Sequence, residues 1–251
     1  MTEYVTTRDG ARIGYDREGD GLPIVLVGGA LQQRAVDEET RRLTTELAAR
    51  GFTAVHYDRP GRGDSGGAAP FTLAQEVAAV RALLDGHGGS ALLYGSSSGA
   101  AIALAAAARL DGVAGLVLWE PPFGDDGGSD GAEFLAGLRE VVARGDDEQT
   151  VRHFMRDMPP EWFTSVRHRE GWPSMERAAP TLEADAEALA WTQSAPRRQL
   201  WGGITVPTLV VLGTATLAFF DAVADAVVSS LAHARKVVIP GSDHGWEAAD
   251  L

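Results

Sequence analysis

The sequence predicts an α/β protein, a doubly wound and mostly parallel sheet interrupted by one inserted helical segment. Three observations lead there. Short runs that are apolar throughout recur along the chain, helical patterns separate them, and the alternation lapses once, between Pro121 and Pro196. A strand apolar at every position, not at every second one, is buried on both faces, as in a parallel sheet covered by helices. The intervening helices supply the crossovers that such a sheet needs.

Taken in order, Tyr4 to Glu18 reads as a hairpin hinged at Asp9-Gly10. Ile24-Val25-Leu26-Val27 is the first all-apolar strand and runs into Gly28-Gly29. A helix starts near Asp37 and ends before Gly51, with Leu43 and Leu47 on one face. The strand Thr53 to Tyr57 ends in Asp58, and Thr72-Leu73-Ala74-Gln75 has the spacing of a capping box that opens the next helix. The strand Ala91 to Tyr94, the helix Ala100 to Leu110 and the strand Leu116 to Trp119 follow. Beyond the insert come the strands Leu209 to Leu212 and Val237 to Ile239. The expected division is a core of residues 1–120 and 197–251 and a helical cap of residues 121–196. The cap starts in a Gly- and Asp-rich stretch, Gly124 to Gly131, which reads as a solvated connector.

Composition narrows the function. The 35 acidic residues outnumber the 22 basic ones, a net charge of −13. That sign repels phosphate backbones and anionic lipid, which argues against nucleic acid and membrane surfaces and for a small-molecule substrate. The absence of cysteine removes disulfides, thiolate nucleophiles and Cys-ligated zinc. Met1 to Asp20 carries no apolar run of the secretory kind, so the expected location is cytoplasmic. Gly61-x-Gly63-x-x-Gly66 matches a dinucleotide fingerprint, but it follows a later strand and Pro60 precedes it, so a tight loop is the better reading. The acidic stretch around Asp125 and Asp130 lacks calcium-loop spacing. No metal and no organic cofactor is implied.

The chemistry is carried by Gly95-Ser96-Ser97-Ser98-Gly99, which fits Gly-x-Ser-x-Gly between a strand and a helix. The pattern selects Ser97 as nucleophile, held on a tight turn that only flanking glycines allow. Helix entry aims the Ser98 N–H at the reaction centre. A serine hydroxyl needs a neighbouring base. Of six histidines, His244 follows a strand end in the Gly-rich loop Gly241 to Gly245, where an imidazole can reach Ser97. The Ala30 N–H, after the Gly28-Gly29 turn, is the second candidate donor to a developing oxyanion.

These stretches resemble the α/β-hydrolase superfamily. Asp58-Arg59-Pro60-Gly61-Arg62-Gly63-Asp64-Ser65 is similar to that family's Asp-x-x-Gly-x-Gly-x-Ser loop, Gly28-Gly29-Ala30 stands at its oxyanion loop, and Gly241 to Gly245 resembles its histidine loop. The resemblance implies an α/β-hydrolase fold with a cap and a Ser-His-acid triad. It most often places the acid after the strand that is here Leu209 to Leu212, where this chain reads Gly213-Thr214-Ala215-Thr216. Thr216 cannot hold an imidazolium by charge. The candidate acid is therefore Glu120, at the end of the strand after the one carrying Ser97, with Pro121 favouring an extended exit. Asp243, Asp221 and Asp225 are its rivals.

The expected reaction is cofactor-independent hydrolysis of an ester, lactone or related acyl bond of a small, mainly apolar substrate. The alternatives are a biosynthetic or C–C-bond-cleaving member of the fold and a ligand-binding homologue with little turnover. Leu31, Phe123, Met155, Met158, Trp162, Phe163 and Trp191 are the candidate substrate-binding residues.

Overall fold

A computed structural model describes residues 1–251. The chain folds as β1 (Glu3–Thr6), β2 (Arg12–Glu18), β3 (Leu22–Val27), α1 (Glu38–Ala49), β4 (Phe52–Tyr57), α2 (Leu73–Gly86), β5 (Ala91–Ser96), α3 (Ser98–Ala107) and β6 (Val113–Trp119). The insert adds α4 (Asp130–Val142), α5 (Asp147–Phe154), α6 (Pro160–Arg167), α7 (Trp172–Arg177), a short 3-10 turn, α8 (Leu182–Trp191) and α9 (Arg197–Trp201). The core resumes with β7 (Thr208–Ala215), α10 (Phe219–Ser230) and β8 (Ala234–Ser242).

Eight strands form one sheet in the order β1-β2-β4-β3-β5-β6-β7-β8. The β1–β2 and β2–β4 pairs are antiparallel and the other five are parallel. β3, β4 and β5 are buried along nearly their whole length, because helices cover both faces. β8 differs. It is the last strand of the sheet, so its apolar run is only half-buried and Val238 is exposed.

Local chemistry opens the helices as the sequence suggests. Asp37 caps α1 by accepting from the Thr40 N–H, and Thr72 and Gln75 form the full reciprocal box at the start of α2. The largest apolar cluster lies between the sheet and α2, α3 and α10. A smaller one lies under α1 and the C-terminal residues, and a third holds the insert together around Leu138, Phe154, Phe163 and Leu182. No helix is long and apolar enough to cross a membrane.

The Gly- and Asp-rich start of the insert is largely exposed, as a solvated connector should be, but it is also tied down. Gln193 accepts from the Gly131 N–H at 2.6 Å and donates to Asp125 O. Arg197 holds Gly124 O at 2.5 Å, and its backbone N–H donates to Asp126 at 2.8 Å. These partners lie about 60–70 residues away along the chain, so no local pattern announces them.

Candidate active site

The register of three strands sets the site. Ser96 pairs with Trp119, and Trp119 with Val211. Ser97 and Glu120 are therefore the first residues past the end of adjacent strands, at the same height above the sheet. Two further ladder bonds hold that register: Ser97 N–H donates to Trp119 O and Glu120 N–H to Val211 O, both at 2.9 Å. This C-terminal edge is where parallel sheets collect ligands.

Ser97 has φ +55° and ψ −124°, a left-handed backbone that costs a non-glycine residue on the order of 1–3 kcal/mol. Its neighbours explain how the turn is held. A Cβ at Gly99 would lie 2.3 Å from Val27 O, and one at Gly95 would lie 2.6 Å from the Cα of Ala100. Strand and helix can pass this closely only with glycine at both positions. Leu31, Glu120, Asp243 and His244 are the other non-glycine residues with positive φ. All five lie in loops around one region, a clustering of strained backbone that marks functional sites.

His244 Nδ1 lies 2.5 Å from Glu120 Oε2, and Glu120 Oε1 accepts from the Gly213 N–H at 3.0 Å. Glu120 is 1% exposed. Burial pushes its carboxyl up, but hydrogen bonds, that from His244 first, more than reverse this and hold it below the ordinary value. With Nδ1 taken by the carboxylate, Nε2 points away from Glu120. The ring stacks on Phe220, at 4.9 Å and 8°, and on Trp162 of α6, at 6.0 Å and 14°. The Trp119 indole N–H donates to His244 O at 3.2 Å, fixing the loop from below. Of the three rival acids, Asp221 and Asp225 pair with Lys236 on the outer face, and the Nδ1 partner of His244 is Glu120, not the adjacent Asp243.

Ser97, Ser98 and His244 line one cavity of about 280 Å³. The N–H groups of Ala30 and Ser98 have no hydrogen-bond partner in the chain. Of the two, Ser98 lines the cavity, and an unpaired backbone donor is rare in folded chains and can receive a ligand oxygen.

Of the seven residues expected to bind substrate, the structure places Met158 and Trp162 on the cavity wall. The other five turn elsewhere. Phe123 packs on Trp201 in the main core. Trp191 meets Trp201 edge-on and carries the Arg109 guanidinium on its face. Leu31, Met155 and Phe163 pack into the insert's own cluster. The remaining apolar wall is built instead by Phe134, Phe154, Leu189, Leu217, Phe219 and Phe220. Sequence reasoning overlooked Leu217, Phe219 and Phe220 because they follow β7 in the core. The pair Phe219-Phe220 at a helix start was the available signal.

Comparison with known proteins agrees with this architecture. A family model described as the alpha/beta hydrolase family matches residues 24–250. An alpha/beta hydrolase from Sphaerobacter thermophilus is 33% identical, with a TM-score of 0.85 over 98% of this chain and 96% of that one. A thermophilic esterase from Thermogutta terrifontis superposes with a TM-score of 0.68 at 23% identity, over 96% and 90% of the two chains. A segment of 87 residues is 47% identical to the lipase LipV of Mycobacterium tuberculosis, covering 34% of this chain and 30% of that lipase. The family match spans the six strands from β3 to β8 and the insert, and the chain belongs to the alpha/beta hydrolase family.

Proposed function

We propose that the chain hydrolyses an ester or lactone of a small, mainly apolar acyl compound through a covalent intermediate on Ser97. The observation that carries the reading is the Glu120–His244 contact beside a serine on a strained turn, all at one edge of the sheet. The esterase and lipase among the similar proteins support the bond type.

In this reading Ser97 Oγ attacks the carbonyl carbon while His244 Nε2 takes its proton. Glu120 holds the ring and balances the imidazolium that forms. The oxyanion is received by the Ala30 and Ser98 N–H groups, each contributing about 3 kcal/mol to the transition state. Collapse expels the alcohol, which leaves with the proton from His244. Water then attacks the Ser97 ester and gives its proton to His244, and the carboxylic acid departs as Ser97 regains a hydrogen. The cavity of about 280 Å³ accommodates a short acyl or lactone skeleton against the aromatic wall.

The test is covalent capture. A fluorophosphonate should add once, at Ser97, and block turnover of p-nitrophenyl esters, and Ser97→Ala should be neither labelled nor active. Labelling at another serine, or turnover that survives in Ser97→Ala, would remove the reading.

A further inference from the structure

Four charged side chains are buried together between the sheet edge and α8. Arg59 and Arg62 come from the loop after β4, Glu76 from α2 and Asp185 from α8, and none is more than 1% exposed. Two positive and two negative charges leave the cluster neutral. Asp185 is its hub. Its Oδ1 accepts from Arg59 Nη1 and from the Ser98 hydroxyl, both at 2.6 Å, and its Oδ2 accepts from Arg62 Nη2 at 2.5 Å. Glu76 takes Arg59 Nε and Nη2 at 3.1 and 2.8 Å.

Arg62 Nε donates to Thr181 Oγ1 at 2.9 Å, and the Nη1 groups of both arginines reach the loop after β3. Arg59 Nη1 donates to Gly28 O and Gly29 O, each at 3.2 Å, and Arg62 Nη1 donates to Gly29 O at 2.7 Å. In a trans peptide the carbonyl and the following N–H point in opposite directions. Two guanidinium groups on Gly29 O therefore turn the Ala30 N–H the other way and polarise it. On the other flank the same Asp185 grips the side chain of Ser98, whose N–H is the second unpaired donor. A buried ion cluster is a poor source of stability compared with apolar packing. What this one does that apolar residues could not is fix a peptide plane.

We propose that Asp185, acting through Arg59, Arg62 and Ser98, is a positioning residue that sets both donors of the oxyanion hole, so that the insert contributes to catalysis as well as to the pocket wall. The proposal rests on the reading of Ser97 as nucleophile. Asp185 touches no reacting atom. Its carboxylate stays ionised: burial pushes it up, but Arg59 and Arg62 outweigh that and hold it below its ordinary value.

The experiment compares Ser98→Ala and Asp185→Asn with wild type, using p-nitrophenyl butyrate as substrate and a trifluoromethyl ketone as a probe that forms an oxyanion when serine adds to it. Ser98→Ala removes one contact to Asp185 and leaves the four charges in place. Its kcat should fall about tenfold with KM within about threefold, and ketone affinity should weaken in step with kcat/KM. Asp185→Asn should lose about 10²-fold in kcat, the effect of displacing a catalytic donor. A purely structural role would lower the melting temperature and leave ketone affinity and kcat of the folded fraction unchanged, and that result overturns the proposal. If Asp185→Asn does not fold, Ser98→Ala decides alone, and wild-type kcat and ketone affinity in it overturn the proposal. Failure of the nucleophile reading shows separately, as turnover or fluorophosphonate labelling that persists in Ser97→Ala, and takes this inference with it.

Discussion

Glu120 combines features that oppose one another unless it has a task. It is 1% exposed, follows an apolar strand and adopts a φ of +39°, not the extended exit expected from Pro121, because its side chain turns to His244 and Gly213. A carboxylate removed from water needs donors, and here the imidazole of His244 and the Gly213 N–H provide them. Gly213 opens the stretch where the family resemblance would place the acid. In this chain the carboxylate that meets His244 stands on the neighbouring strand, and β7 contributes a donor to it instead. Glu120→Gln keeps the shape and removes the charge, so kcat should fall by up to ~10⁴ while the melting temperature changes little. Asp221→Asn should leave kcat unchanged, since Asp221 pairs with Lys236 away from the ring. A measured loss in the Asp221 variant with an active Glu120→Gln would reverse the assignment.

At the scale of elements, α6 and the start of α10 each bring an aromatic ring to the imidazole. Trp162 arrives from the insert and Phe220 from the core, and the ring lies nearly parallel to both. A cation stacked on aromatic faces gains about 0.5–2 kcal/mol, which in the proposed mechanism favours the imidazolium. Trp162 also lines the cavity, so it serves two ends at once. Trp162→Ala should lower kcat roughly fivefold, matching about 1 kcal/mol of that stacking. It should also shift the preference among p-nitrophenyl esters toward longer acyl chains, because the cavity enlarges. Unchanged chain-length preference together with a large drop in melting temperature would show that the tryptophan only holds the insert in place.

For the molecule as a whole, the charge stored inside the fold sets how it responds to acid. His56 lies in β4, 4% exposed. Burial lowers its pKa from 6.5, and the nearby carboxylates of Asp37, Asp58 and Asp16 only partly offset this. The unfolded chain therefore takes up the His56 proton near pH 6.5 while the folded chain does not. Acid favours the state that binds more protons, here the unfolded chain, so stability should fall as the pH drops from 7 to 5. Glu120 and Asp185, both held below their ordinary values, lose their contributions only at lower pH. Thermal melts at pH 7 and pH 5 should show a clear decrease, and His56→Leu should flatten it. An equally steep decrease in that variant would assign the sensitivity elsewhere.

What was legible in the sequence follows from what is local. All-apolar runs mark strands covered on both sides, Thr72 and Gln75 satisfy amides three residues apart, and Gly95 and Gly99 flank a turn that admits no side chain. Gly-x-Ser-x-Gly and the Gly-rich loop around His244 are likewise short-range patterns, and they single out Ser97 and His244 as candidates. The exit of a strand one place along from Ser97 singles out Glu120. The cavity wall was not legible in the same way. Whether Phe123 or Phe134 faces the cavity depends on how α4 to α8 pack, and both residues look alike along the chain. The buried cluster of Arg59, Arg62, Glu76 and Asp185 is beyond any local pattern, since its ion pairs span 17 to 126 residues. Charges in sequence read as solvated until the fold brings a partner to each. Only the tertiary structure could decide that these four are sealed from water, because a buried charge is tolerated only where its counter-charge is already in place.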